Sequence, residues 1–378
     1  MALIRFNKIM ENEGTVMTTE QITGRCLSMC PEKERLTRER EGLLHRYEID
    51  EGTKHTKRPK ADPVKIVKCF SRSAAGQVMT DPNLLRPPHV LLSTVQYLFT
   101  KIITRTDLDW VLIYNFVFDR LRSVRQDAVI QRVDIVTSIF LLEPIVRFHI
   151  YAAQRLCERD ISEFDAKINS VHLFECIKQL LVLYDQQNEN VTDNTAIHKD
   201  LEKLALNNSR SEMEAIYILL HIGDWEALKR ALTLSSDLKK SPAIQLATKI
   251  SFAWYLRNYV CVRHLVDQLS PILACAFFCN LQSFRRNVLQ IMSSGYNSRV
   301  LTFPGLKLQK LLFYKDISKI QADCKLFGLT FTNENVLFKK SQFNEQILLA
   351  NPEMYYTSTT LHKFMPKIFL ECTSNNEC

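Results

Sequence analysis

Between about residues 90 and 290 apolar positions recur at helical spacing. Leu91, Val95, Leu98 and Ile102 fall at i, i+4, i+7 and i+11, one face of an amphipathic helix turned to a core. Val111 to Gln131 carries Leu112, Phe116, Val117, Leu121 and Val124 on one side. Phe164 to Tyr184 does the same with Phe174, Ile177, Leu181 and Tyr184. Helix starts punctuate the text. Ser211 with Glu214 reads as a capping box. Ser241-Pro242 and Ser270-Pro271 each place a capping residue before a proline that suits the first turn. A faint repeat near 35 residues sets Tyr217–Trp225 against Phe252–Val260, with Gly223 and Asn258 at matching helix ends. That spacing predicts stacked antiparallel helix pairs.

The pattern changes at both ends. Residues 1–20 read as a disordered lead. A charge-laced helix follows over about 31–48, with Pro31 in its first turn, Glu32 and Glu34 near its positive end and Arg35, Arg38 and Arg40 later. Gly52 to Arg72 holds seven basic residues against Asp62 alone, and Pro59 and Pro63 make its first half a loop. Near the C-terminus come a short helix over Gly305–Tyr314 and a second over Ile317–Phe327 behind Asp316. Ile317, Ile320, Cys324 and Phe327 form the inner face of the second helix, and Gly328 stops it. Strand-like runs Leu329–Thr332 and Val336–Lys339 flank a polar tip. Two helices and a hairpin in this order predict a winged helix. The expected organisation is a lead over 1–20, a helical-repeat region over 21–295, a winged-helix subdomain over 296–345 and a tail over 346–378.

Composition narrows the class. The chain has 378 residues, 46% of them hydrophobic, which supplies a packed core. The longest unbroken apolar run, Pro271 to Cys279, is short of the roughly 20 residues a membrane helix needs, so no membrane insertion is expected. Nor does the N-terminus show a secretory apolar core, and an intracellular protein is expected. Eleven cysteines, an odd number scattered along a long chain, suit reduced thiols. Only nine glycines occur. Phosphate-cradling loops and strand-to-helix catalytic turns need glycine, and their motifs are absent. No catalytic residue and no cofactor is assigned, and an enzyme is not expected.

Candidate chemistry lies in a few places. Cys26 and Cys30 have a spacing that zinc accepts, but a structural site wants four ligands and no second close pair exists. The expectation is no metal, with both thiols packing a loop on the helical body. Arg122 and Arg125, with Asp119 a turn earlier and Asp127 beyond, could face nucleic acid, but mixed charge at this spacing more often pairs within the molecule. Residues 307–341 contain seven lysines and three acids. Lys319 and Lys325 on the outward face of the second helix, and Lys339 and Lys340 after the wing, are candidates for nucleic-acid phosphates. The competing reading of this region is a protein–protein module. Net charge of +8 permits a polyanion partner without demanding one.

Four blocks, in order, carry a family resemblance. Gly24, Cys26, Met29, Cys30, Pro31, Glu32, Glu34, Arg35 and Arg38 form the first. Val67, Lys68, Phe70, Arg72, Ser73, Ala75 and Gly76 form the second. Arg86, Pro87, Val90, Leu91, Tyr97 and Leu98 form the third, and Asp119, Arg120, Arg122, Val124, Arg125, Gln126, Asp127 and Gln131 the fourth. Together they resemble the Sac/GANP family of nuclear mRNA-export scaffolds over roughly residues 20–345. The resemblance implies a mainly α, PCI-like stack of helix pairs closed by a C-terminal winged helix. It implies a nuclear, non-catalytic scaffold that pairs with a PCI-domain protein and a small acidic Sem-type subunit and offers a basic surface to RNA or single-stranded DNA. Small homologues in this family also resemble a form assigned to centrosome duplication and spindle assembly, which gives the alternative role and a centrosomal or cytoplasmic location.

Overall fold

The computed structural model describes residues 22–72, 80–189, 209–332, 334–347, 353–354 and 365–370. Contacts group the chain into two units, one within residues 1–91 and 122–134, the other within 92–121 and 135–378. The lead over 1–20 and the Ser73, Ala75 and Gly76 positions of the second block lie outside the described residues.

In the first unit, helix α1 (Glu32–Glu41) begins after Pro31, which stands at the N-cap with extended backbone instead of in the first turn. The helix is shorter than the sequence suggests. Gly42 takes the left-handed conformation (φ 69°), and its neighbour Leu43 donates back to Arg38 O at 2.9 Å, so the chain turns off before His45. Glu32 and Glu34 lie in the first turn and Arg38 and Arg40 in the last, aligned with the macrodipole. The basic stretch beyond is irregular, fastened by an Ile49–Ala61 bridge. Cys30, Ala61 and Ile66 make a small apolar core that Leu44 partly covers.

In the second unit the helices are α2 (Pro88–Tyr97), α3 (Trp110–Gln131), α4 (Ile135–Arg155), α5 (Ala166–Glu189), α6 (described over 209–220), α7 (Trp225–Thr233), α8 (Ser236–Lys239), α9 (Pro242–Tyr255), α10 (Tyr259–Val266), α11 (Pro271–Phe278) and α12 (Leu281–Gly295). The first four residues of α2 and the last ten of α3 are counted with the first unit. Helix α2 runs on through a π-turn at Leu98–Ile102, and Val95, Leu98 and Ile102 are buried. Phe116, Val117 and Leu121 are buried as the pattern requires, but Leu112 is 41% exposed. Prolines 242 and 271 open their helices behind Ser241 and Ser270, although neither serine side chain makes a capping bond. Ser211 lies inside α6 as described, and Glu214 accepts from Arg230 Nε (2.7 Å). In the second half of the faint repeat Arg257 takes the positive φ of 57°, and Asn258 caps the next helix by accepting from Cys261 N–H.

Helix α4 is long and apolar enough to cross a membrane, a property the count of unbroken apolar residues overlooked. Here α5, α11 and the terminal helix α15 (Met365–Leu370) pack on it. Three of its buried polar residues are paired. Glu143 accepts from the Tyr184 hydroxyl, Arg147 Nε donates to Glu212 (2.7 Å), and His149 meets Asn169 (2.8 Å).

A short sheet follows the helices. Strand β1 (Phe303–Pro304) leads into α13 (Gly305–Leu311) and α14 (Ile317–Leu326), then β2 (Thr330–Thr332) and β3 (Asn335–Leu337). The order is β1-β3-β2, all antiparallel, with Phe303 and Phe331 both opposite Val336. Strand β1 was not apparent from the sequence, since two residues show no alternation.

Candidate functional site

Two polar assemblies concentrate the candidate residues. The first, in the first unit, gathers the family blocks around Asp127. This carboxylate is fully buried and accepts from Lys68 Nζ (2.7 Å), Arg86 Nε (2.8 Å) and Arg86 N–H (3.4 Å). Lys68 also donates to Leu84 O (2.6 Å). Arg86, itself fully buried, spends its remaining donors on Ser123 Oγ (2.8 Å) and Met29 O (3.4 Å). One turn along α3, Gln131 Nε2 donates to Arg86 O (2.8 Å), while its Oε1 accepts from Gly24 N–H (2.8 Å). The approach at Gly24 leaves no room for a side chain, because an added Cβ would stand 2.4 Å from Leu85 O. Three loop segments are thus fixed on the end of one helix.

The rest of the blocks extend this assembly. Arg38 ties the buried Glu48 carboxylate and donates to Val67 O (3.1 Å), and Glu48 accepts from Val67 N–H (3.1 Å). Arg35 pairs with Glu32 (3.3 Å) and Glu39 (3.2 Å). The Arg122 guanidinium lies over the Phe70 ring at 3.7 Å, and Gln126 Nε2 donates to Ser71 O (2.8 Å). Arg125 is half-buried and Arg72 exposed. Cys26 Sγ donates to Ser28 O (3.3 Å), and Cys30 is buried. Burial, with Glu34 adding, pushes the Cys30 thiol well up, which keeps it protonated and unreactive. Among the described residues no three His, Cys, Asp or Glu side chains gather closely enough to hold a metal. What this arrangement does chemically is hold loops in register. Glu48 and Ser123, outside any periodic pattern, gave no sign of their part in it.

The second assembly joins helices α10 and α12 to the sheet-bearing segment. Helix α13 ends at Leu311, and just beyond it Phe313 takes a φ of 56°, which turns the chain off the helix and leaves carbonyls without intrahelical donors. Arginines supply them. Arg263 donates to Lys310 O (2.7 Å), and Arg285 to Leu312 O (2.9 Å) and Phe313 O (2.7 Å). Arg285 also lies 3.5 Å over the Tyr314 ring and bonds Glu353 (2.9 Å). Burial raises the Glu353 carboxyl, but Arg285 and Lys319 outweigh it and hold the group below its ordinary range. Asp323, accepting from the Tyr314 hydroxyl, is raised by burial.

The four candidate lysines separate here. Lys325 and Lys340 are exposed and Lys339 is half-buried. Lys319, expected to point freely outward, is partly spent, since its Nζ lies 3.2 Å from Glu353. Sequence reading missed that partner because Glu353 falls in the expected tail, where no periodicity marks it.

The sequence profile of the SAC3/GANP family matches residues 29–333. The chain belongs to this family. It is 26% identical over 333 residues to SAC3 family protein 1 of Schizosaccharomyces pombe, covering 82% of this chain and 30% of that one. It is 29% identical over 320 residues to protein xmas of Drosophila melanogaster, covering 81% and 14%. With SAC3 family protein B of Arabidopsis thaliana it shares 29% over 287 residues, covering 72% and 16%. The chain therefore spans less than a third of the length of these relatives. Both assemblies include residues inside the matched range, and Glu353 lies beyond it.

Proposed function

We propose that this SAC3/GANP chain is a non-catalytic scaffold of nuclear mRNA export or RNA processing, built to pair with a PCI-domain protein and to present a basic surface to RNA or single-stranded DNA. The supporting observation is the segment from β1 to β3. Its order of strand, two helices and hairpin is that of a winged helix, and consecutive packed helices precede it as in a PCI-type stack. Lys325, Lys339 and Lys340 sit on its solvent side or edge. Arg263 and Arg285 clamp it to the helices, so that a partner's pull would reach the stack. A small acidic Sem-type subunit belongs to the same reading.

The test is twofold. A tagged chain purified from cycling cells should bring a PCI-domain protein and export factors. Recovery of centrosomal proteins in their place would favour a role in centrosome duplication and spindle assembly. Binding of single-stranded RNA should fall steeply with salt, by about 0.7 in log–log slope per phosphate contact. Reversing charge at Lys325, Lys339 and Lys340 should flatten that slope by about 2. An unchanged slope would remove this surface from the interface.

A further inference from the structure

Helix α12 ends at Gly295, and the chain turns through Tyr296, Asn297 and Ser298 before β1. The turn is fixed to the chain leaving β3. Ser298 N–H donates to Phe338 O (3.2 Å), and Lys340 N–H donates to Asn297 Oδ1 (3.1 Å). Ser298 Oγ accepts from Val300 N–H (3.2 Å) and Leu301 N–H (2.9 Å), which folds the loop back on itself. The loop borders a partly open cavity of about 150 Å³ lined by Tyr296, Leu301, Phe303 and Phe338, among others. The Tyr296 and Phe303 rings meet edge to face at 5.2 Å, and Phe303 and Phe338 at 6.2 Å. Phe338 is buried, but Tyr296 stays 55% exposed at the mouth.

The two segments that line this cavity carry only basic charge. Residues 295–304 and 335–342 contain Arg299, Lys339 and Lys340 and no acid. The bond from Lys340 N–H to Asn297 places the basic pair beside the aromatic turn. An aromatic wall with a cationic rim matches an unpaired nucleotide, whose base stacks while its phosphates seek cations. A purely apolar protein segment would have no use for the rim, and a run of acidic side chains alone none for the ring.

We propose that this cavity is a stacking site for one unpaired base of a single-stranded nucleic acid. Tyr296 is the platform, and Arg299, Lys339 and Lys340 hold the flanking phosphates. The proposal rests on the nucleic-acid reading above and adds a base-dependent component to it.

The test uses the full chain, a short fluorescent oligouridylate, an abasic oligomer of equal length and a poly-glutamate peptide. The unaltered chain should prefer the base-bearing oligomer by roughly 5- to 100-fold, the worth of one stacked base. Tyr296→Ala should lose that preference with the salt slope unchanged, because the phosphate contacts remain. Tyr296→Trp should keep it, which separates loss of the platform from loss of fold. Equal binding of oligouridylate and abasic oligomer, or of poly-glutamate, would overturn the stacking site and leave the basic surface standing. Binding to neither oligomer would overturn both readings.

Discussion

At the residue scale the decisive side chain is Asp127, which holds two buried cations. Taking a pair of charges out of water costs nearly what their attraction returns, so the assembly adds little net stability. Removing one member is another matter. Asp127→Asn leaves Lys68 and Arg86 buried with their charge uncompensated and should cost about 3–5 kcal/mol, read from the denaturation midpoint. A loss near zero would mean that water reaches the site. Cys26 and Cys30 call for a gentler outcome. Replacing each with serine buries a hydroxyl that its site cannot fully satisfy, at about 1–3 kcal/mol apiece. Elemental analysis should find no stoichiometric zinc, and zinc that disappears in the double-serine protein would make this loop a metal clip. Arg86, Lys68 and Asp127 could be picked out by their place in the family blocks. That they meet one another could not, because 41 and 59 residues of chain separate the partners.

Among the elements, the terminal segment departs most from its sequence. Met365–Leu370 reads as tail, yet it is a helix with Met365 and Phe369 buried. Phe369 packs on Phe99 (5.4 Å) and Tyr151 (5.6 Å), and its carbonyl accepts from Arg147 (3.2 Å). Phe369→Ala should therefore destabilise by about 3–5 kcal/mol, the cost of emptying an aromatic core site. A tail would lose nothing. Glu353 gives a pH test. Its folded carboxyl titrates below the ordinary 4.5, so its contribution is complete above that value and is lost as pH falls through the depressed one. Asp323 acts oppositely. Burial raises it above 3.8, and ionising it costs stability as pH rises toward the raised value. Glu353→Gln should be less stable than the parent at pH 6, with the gap closing under acid. A gap that stays constant down to pH 3 would show that the Arg285 and Lys319 contacts carry no charge-dependent stability.

For the whole molecule, the helices from α4 onward and the sheet-bearing segment belong to one unit, with Arg263, Arg285 and Arg286 reaching across. Limited proteolysis should leave the strands attached to α12, and a stable fragment beginning between 296 and 306 would contradict this. The same fragment map should show Met365–Leu370 retained with α4.

The sequence by itself determined the mainly helical class, most buried faces and the two-helix-and-hairpin ending. Each depends on local periodicity or on a breaker such as Gly328, and both act within a turn or two of chain. Family membership was also legible, because its blocks are short strings that need no folding to be read. Tertiary structure alone decided that Lys319 is partly spent while Lys325 stays exposed. It alone joined β1 to β3, formed the cavity beside Tyr296 and drew α15 into the core. Those outcomes depend on pairing between residues far apart in the chain. There the entropy of loop closure and the burial of specific side chains choose the partner, and neither leaves a period in the sequence.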